Sequence, residues 1–165
     1  MYICKPERNV SQAKILLFSC AVVTALLFLI STVIPVYSSL VSTLGIVALI
    51  FSIWINYRYT LTEFEYCVGN GDFSVVRIVG NRREIVCNVA LETAVGIFEK
   101  RDYDHLPSKD KALIKYSLCQ NIKPNSYVFL CNFNGKRAMI EFEPNNEFVA
   151  VFKKEIENAS SENQN

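Results

Sequence analysis

The stretch of sequence that decides the architecture runs from Ile15 to Tyr57 and reads ILLFSCAVVTALLFLISTVIPVYSSLVSTLGIVALIFSIWINY. No Asp, Glu, Lys, Arg or His occurs between Lys14 and Arg58. A helix needs roughly 20 apolar residues to cross a hydrocarbon core, so an uncharged stretch of about 43 residues is long enough to cross twice. A cleaved signal peptide is the main alternative, but its apolar region is only ~7–15 residues long. The sequence therefore predicts an integral membrane protein with two transmembrane helices.

Pro35 divides this stretch almost in half, and the turn-forming residues around it predict a short connection at residues 35–38. The first helix is predicted at residues 15–34 and the second at residues 39–57. Aromatic and basic side chains are typical of the two surfaces of a membrane. The side chains expected to anchor the hairpin at these surfaces are Lys14, Trp54, Tyr57 and Arg58.

The basic residues that flank the hairpin lie at one end of it, whereas the connecting turn is uncharged. Because cytoplasmic segments of membrane proteins are enriched in Lys and Arg, this asymmetry predicts a two-span protein of the cell membrane with both termini in the cytoplasm. Residues 1–14 are then a cytoplasmic N-terminal segment, and residues 58–157 are a cytoplasmic soluble domain.

Charge and cysteine content exclude several classes of function. The chain has 17 Lys and Arg against 16 Asp and Glu, a net charge of +1, whereas proteins that bind nucleic acid usually carry a clear basic excess. Six cysteines are present, but Cys20 lies inside a predicted span, and a reducing cytosol disfavours disulfides. No CxxC pair and no zinc-ligand spacing occurs. We therefore expect no nucleic-acid partner, no metal and no cofactor.

The soluble domain is predicted to be rich in β-strands, because apolar and polar residues alternate in short runs between turns containing Gly and Asn. Residues 101–111 are polar and contain a proline, which indicates an exposed loop, and residues 112–119 are either a strand or a short helix. Asn134-Gly135 is a strong hairpin signal. The predicted strands are 59–67, 73–79, 84–89, 93–100, 126–133 and 137–143, with 112–119 as a further candidate.

A C-terminal helix is predicted after Pro144, with Asn145 or Asn146 as its N-cap. Its apolar side chains, among them Phe148 and Phe152, recur on one side, so the helix is expected to cover an end or edge of the sheet. Residues 158–165 are polar and without apolar anchors, which indicates a disordered tail.

Two segments resemble a known family. They are Tyr57 to Thr62, where the second span runs into the first predicted strand, and Asn134 to Pro144 with the helix after it. The chain is similar to bacterial PH-like (pleckstrin-homology-like) membrane proteins with a two-helix transmembrane hairpin, and especially to small two-span families of clostridia and their relatives. The resemblance implies an α+β membrane protein: a hairpin, then a PH-like antiparallel barrel or sandwich of about seven strands with one C-terminal α-helix. It brings no catalytic residues.

The residues with chemistry are few. His105, the only histidine, lies in the polar loop, and no nucleophile or phosphate-binding motif occurs, so the protein is not expected to be an enzyme. A loose basic set could contact anionic lipid headgroups, although neighbouring acids also fit an ordinary solvated surface. This set is Arg77, Arg82, Arg83, Lys100 and Arg101.

The function predicted from the sequence is a membrane-anchored PH-like interaction or scaffolding protein, which presents its domain at the inner leaflet to a protein partner. The alternatives are an anionic-lipid sensor and an accessory subunit of a membrane enzyme or transporter. The absence of ionisable residues in the spans argues against transport by the chain alone. Small residues at Ser42, Gly45 and Ala48 leave a homo-oligomer open.

Overall fold

The computed structural model describes residues 1–107, 111–133 and 135–162, and the chain divides into two compact units. One unit is helical and comprises Arg8–Thr62. The other comprises Met1–Glu7 together with Glu63–Asn165 and contains the sheets. The N-terminal residues therefore belong to the sheet unit, whereas the sequence suggested a separate segment at residues 1–14.

The helical unit is a hairpin of two long helices, α1 (Val10–Val33) and α2 (Ser38–Asn56), joined through a short 3-10 helix at Pro35–Tyr37. A π-helical turn, Tyr57–Leu61, extends α2, so residues 59–61 are helical and not the start of a strand as predicted. With mean hydropathies of 2.5 and 2.1, both helices are long and apolar enough to cross a membrane.

Small side chains let the two helices pack closely. A Cβ atom added at Gly45 would lie 3.2 Å from the ring of Phe28. Thr24 is buried, and its hydroxyl donates to the carbonyl of Cys20 at 2.8 Å. Only 6% of the most apolar window of the first helix and 11% of that of the second is buried, so most of the hairpin's apolar surface faces outward.

The sheet unit contains two four-stranded sheets. The first has the order β1-β2-β3-β4, and the second has the order β5-β7-β8-β6 with β6 parallel to β8. Within the described residues these sheets remain separate, so of the two forms expected from the sequence, barrel and sandwich, the structure has the sandwich. The strands are β1 Tyr2–Cys4, β2 Thr62–Gly69, β3 Asp72–Val79, β4 Arg82–Ala90, β5 Ala94–Glu99, β6 Ile114–Ser117, β7 Tyr127–Phe133 and β8 Lys136–Phe142.

Turn chemistry fixes the pairing of neighbouring strands. Between β2 and β3, Asn70 and Gly71 both have positive φ, 57° and 79°, the conformation that these residue types tolerate best. Phe133 pairs with Lys136 across the predicted second hairpin. Its Asn134 lies outside the described residues, and Gly135 has φ 74°. The region 112–119, left open between strand and helix, contains the strand β6.

The core lies between the two sheets and is closed at one end by α4 (Asn146–Glu162). The side chain of Asn145 accepts a hydrogen bond from the Phe148 N–H at 2.8 Å, which confirms it as the capping residue. Neighbouring rings of the central cluster have centroids 4.8–6.2 Å apart. The cluster consists of Phe73, Phe129, Phe142, Phe148 and Phe152, all fully buried.

Two predicted polar segments are more ordered than expected. Part of the predicted loop at residues 101–111 forms a short helix, α3 (Lys100–Asp104), whose Tyr103 is 1% exposed. Tyr103 packs with Val128 and Leu130 on the second face of β7, and its hydroxyl accepts the Ala112 N–H at 2.8 Å. Residues 108–110 of that loop lie outside the described residues.

The C-terminal helix is also longer than the sequence suggested. The tail predicted to be disordered from residue 158 continues α4 as far as Glu162. Ile156 and Ala159 extend the apolar side of the helix against the core, which explains the additional turn. Residues 163–165 lie outside the described part of the chain.

Candidate functional site

An open cleft of about 240 Å³ separates β4 of the first sheet from β6, β7 and β8 of the second. Its lining is mostly apolar and also includes two thiols, those of Cys87 and Cys131, and the amide residue Asn88. Tyr116 and Phe133 line its more open side and are 53% and 55% exposed. No charged residue belongs to this lining in the part of the chain that the structure describes. The cleft therefore suits an apolar group.

An irregularity in β4 accompanies the cleft. Cys87 pairs with Val75 and Ile85 pairs with Val76, so Val86 has no partner across β3. A bulge of this kind bends its strand and interrupts the regular edge of a sheet. Val86 itself lines the cleft, which indicates that the bulge helps to keep this side of the sandwich open.

Along the second sheet, the side chains that face the cleft change from buried to exposed. Cys131 pairs with Ala138, and both side chains are buried in the core. The next pair that shares this face is Phe133 with Lys136, and both of these side chains are exposed. The inward face of β7 and β8 thus passes from buried apolar residues to an exposed ring and a cation.

The first sheet continues in a similar way. Val75 and Cys87 form a pair on its inward face. The next pair along that face is Arg77 with Glu84, whose side chains form an ion pair with an N···O distance of 2.6 Å. The charges of this pair therefore compensate each other.

Both thiols in the cleft are held in the protonated form. Burial raises the pKa of Cys87 to about 11, from an ordinary value of 9.0, and it also raises the pKa of Cys131. Because the thiolate is the nucleophile and the metal ligand, these cysteines are poorly reactive at neutral pH. The cleft thus offers a mostly apolar surface whose thiols are not activated as nucleophiles.

The basic residues predicted to contact lipid fall into two groups. Arg77, Arg82 and Arg83 belong to the β3–β4 hairpin, whereas Lys100 and Arg101 begin α3 on the second sheet. Arg83 is paired with Glu65, and Lys100 lies 3.2 Å from Asp104. Several of these charges are therefore already compensated, and their contact with lipid stays a prediction.

Glu65 is a buried carboxylate that sequence reasoning missed. Its side chain is 3% exposed, and its carboxylate pairs with Lys5 at 2.7 Å and with Arg83. A buried carboxylate is costly unless cations compensate it. Alternation along the strand places Glu65 on the polar face, and neither of its partners is close in sequence, so its burial could not be predicted.

A second buried carboxylate, that of Glu143, joins β8 to the segment after β6. One of its oxygens accepts the backbone N–H groups of Gln120 and Asn121, and the other accepts the Asn121 side-chain amide at 3.0 Å. The Tyr66 hydroxyl accepts the backbone N–H of Glu143 and donates to the Leu118 carbonyl at 2.8 Å. This network holds β6 in place beside the cleft.

Replacing Glu143 with alanine is expected to lower the free energy of unfolding by about 2–4 kcal/mol, since the buried backbone N–H of Gln120 and the partly buried N–H of Asn121 lose their acceptor. The change is measured by unfolding the full chain with urea in lipid nanodiscs and using a short pulse of protease to quantify the unfolded fraction. Glu143→Gln, which retains one acceptor oxygen, should lose less. Glu84→Ala removes an exposed ion pair and should cost under about 1 kcal/mol. Equal losses for Glu143→Ala and Glu84→Ala would contradict this role.

The predicted membrane anchors belong to the helical unit. The ring of Trp54 stacks on that of Phe51 with centroids 5.7 Å apart, and Tyr57 is 45% exposed. The guanidinium of Arg58 lies 5.4 Å from the centroid of the Tyr59 ring. Lys14 is exposed on α1. Their location at a membrane surface stays a prediction.

The described residues contain no group of three or more His, Cys, Asp and Glu side chains that could hold a metal. His105 is exposed and follows the last residue of α3.

The cleft combines Cys87, Cys131 and Phe133, which are distant in sequence, and the sequence alone did not single it out. The Asn134-Gly135 hairpin signal could have identified the wall formed by the second sheet, because it fixes the register of β7 and β8.

Comparison with known proteins agrees with this architecture. Residues 3–161 match the family described as bacterial PH-like domain (DUF6106). No curated protein and no solved structure matches the chain. The match spans both the helical hairpin and the sandwich, so the chain belongs to the bacterial PH-like domain family (DUF6106).

Proposed function

We propose that the protein is a membrane-anchored interaction protein, in which the hairpin crosses the bilayer twice and the PH-like sandwich binds a protein partner in the cytoplasm. The observation that carries the proposal is the outward-facing apolar surface of the hairpin. Ile15 and Phe18 on α1 are 70% and 73% exposed, and Ile50 and Ile53 on α2 are both 62% exposed. Surfaces of this extent need an apolar environment.

The distribution of charge supports the proposed orientation. Lys14 and Arg58 flank the open end of the hairpin, whereas the connection at Pro35–Tyr37 is uncharged. By the positive-inside rule the open end then faces the cytoplasm, and so does the domain joined to it. The length of the first helix supports the proposed crossing of the bilayer, because α1 has 24 residues and a span needs roughly 20.

A binding role suits the soluble domain better than catalysis does. PH-like domains are typically non-catalytic, and the cleft thiols are kept protonated. The lipid-headgroup alternative has less support, because Arg77, Arg83 and Lys100 each pair with a carboxylate. No described contact specifically favours an accessory-subunit role.

Proximity labelling in native membranes tests the proposal. The labelling enzyme is fused to the C-terminus of the full chain, and the control carries the same hairpin, residues 8–62, joined to an unrelated soluble domain. We expect the full chain to label at least one protein that the control does not. Chemical crosslinking of that protein to the full chain should then give crosslinks to residues of the sandwich. Identical sets of labelled neighbours would contradict a role in partner binding.

A further inference from the structure

We propose that the cleft between β4 and the second sheet binds the hydrocarbon chain of a medium-chain fatty carboxylate, with the carboxylate near Lys136. This inference goes beyond partner binding by the domain, and it assigns a small-molecule site to the sandwich. It rests on the size of the cleft, the chemistry of its lining and the position of one cation.

The size of the cleft sets the class of ligand. A cavity of about 150 Å³ lined by apolar side chains is known to hold benzene, so a cleft of about 240 Å³ takes a larger apolar group. The additional volume leaves room for a short alkyl chain. One short alkyl chain is therefore the class of ligand that the size of the cleft favours.

The chemistry of the lining excludes a charged group from the interior. Its wall residues are aliphatic side chains, aromatic rings and protonated thiols, with Asn88 as the amide. Burial of a charge without a partner is costly, so a charged ligand group must remain at the open side. The ligand is therefore apolar over most of its length.

The register of β7 and β8 supplies a cation at that open side. Lys136 is the cross-strand partner of Phe133, which lines the cleft, and the two side chains share one face. The pair before it, Cys131 with Ala138, is buried. A chain lying along this face would pass from the core to the exposed Lys136, whose ammonium favours an anionic head.

The edge of the first sheet favours a single chain over an added peptide strand. A strand that joins a sheet edge needs a regular row of backbone donors and acceptors, and the bulge at Val86 interrupts that row in β4. On the opposite edge, β6 has only four residues. A peptide strand added by a protein partner is therefore the less favoured occupant.

The test uses the full chain in phosphatidylcholine nanodiscs and a photoreactive decanoate with the diazirine at the end of its chain. The same diazirine on a decanol and on a decyltrimethylammonium compound gives neutral and cationic probes. Labelled positions are read by peptide mass spectrometry. We expect saturable labelling of the cleft by decanoate, about tenfold stronger than by the cationic probe. Labelling limited to the hairpin, or equal for all three probes, would overturn the proposal.

Matched variants distinguish binding of the ligand's hydrocarbon chain in the cleft from binding of its carboxylate by Lys136. Cys87→Phe fills the cleft and should reduce its labelling at least tenfold, whereas Ile85→Phe, at an exposed position on the same strand, should not. Lys136→Glu should weaken decanoate labelling about tenfold and leave decanol labelling unchanged. Lys115→Glu, next to Tyr116 but outside the lining, is its control.

Resistance to protease checks that each variant is folded. If Cys87→Phe does not fold, Val86→Phe fills the same cleft from the unpaired position at the bulge and should give the same loss. Full labelling in a folded Val86→Phe variant would contradict the site. In nanodiscs with a photoreactive phosphatidylglycerol and no free decanoate, labelling of the cleft would identify a membrane lipid as the occupant and also overturn the proposal.

Discussion

The double variant Val22→Arg/Val47→Arg is expected to lose its stable insertion in the membrane. Val22 and Val47 lie near the middle of the two spans and are 41% and 58% exposed. An arginine at the centre of a spanning helix costs ~2.5–3.5 kcal/mol on the insertion scale, so two together cost about 5–7 kcal/mol. This exceeds the expected effect of any other substitution considered for the chain.

The fraction of protein that stays in the membrane pellet after an alkaline carbonate wash measures this effect. The wild-type chain should remain in the pellet, whereas the double variant should be released or degraded. Ile85→Arg and Tyr116→Arg, which introduce the same charge at exposed apolar positions of the sandwich, should remain in the pellet. A double variant retained as fully as the wild type would show that the hairpin does not insert through these residues.

Replacing Phe152 with alanine is expected to lower the free energy of unfolding of the sandwich by about 3–5 kcal/mol. The Phe152 ring is fully buried, and its centroid lies 4.8 Å from that of Phe73 and 5.0 Å from that of Phe129. It joins α4 to both sheets, so its removal leaves a cavity at the centre of the core. Losses of this size approach the whole stability of many domains.

The free energy of unfolding is measured with the full chain in nanodiscs, at increasing urea concentrations, by pulse proteolysis of the unfolded fraction. Phe133→Ala provides the matched control, because it removes the same ring from a position that is 55% exposed. It should cost under about 1 kcal/mol. Similar losses for the two variants would mean that the ring cluster around Phe152 does not carry the stability of the sandwich.

Local sequence patterns predicted much of the fold. The uncharged stretch defined two apolar helices, because the lack of charge over that length is itself the physical requirement for crossing a bilayer. Turn residues located the β2–β3 turn and the β7–β8 hairpin, since the conformations they favour determine strand pairing. Asn145 was one of two capping candidates, and its side-chain hydrogen bond to Phe148 identifies it.

The remaining features depend on contacts between distant parts of the chain. β1 has three residues and is stable only because it pairs with β2, which follows it after the whole hairpin. Tyr103 orders α3 because it packs against β7. Lys5 and Arg83 compensate the buried Glu65 from either side of it in sequence. No local pattern contains these partners.

The pairing of β1 with β2 changes the relation between the predicted domains. The hairpin is an insertion between two neighbouring strands of one sheet, since Cys4 in β1 pairs with Tyr66 in β2. The chain therefore passes between the two compact units on both sides of the hairpin.

The most direct test of a two-span anchor with a cytoplasmic domain is thiol labelling in intact spheroplasts with a membrane-impermeant maleimide. Val36→Cys places a thiol at the connecting turn, where Val36 is 83% exposed, and Lys115→Cys places one on the exposed surface of β6. Site-resolved mass spectrometry distinguishes these positions from the native cysteines. We predict labelling of Val36→Cys in intact spheroplasts and labelling of Lys115→Cys only after permeabilisation. The reverse pattern, or equal labelling of both before permeabilisation, would contradict the proposed anchor and its orientation.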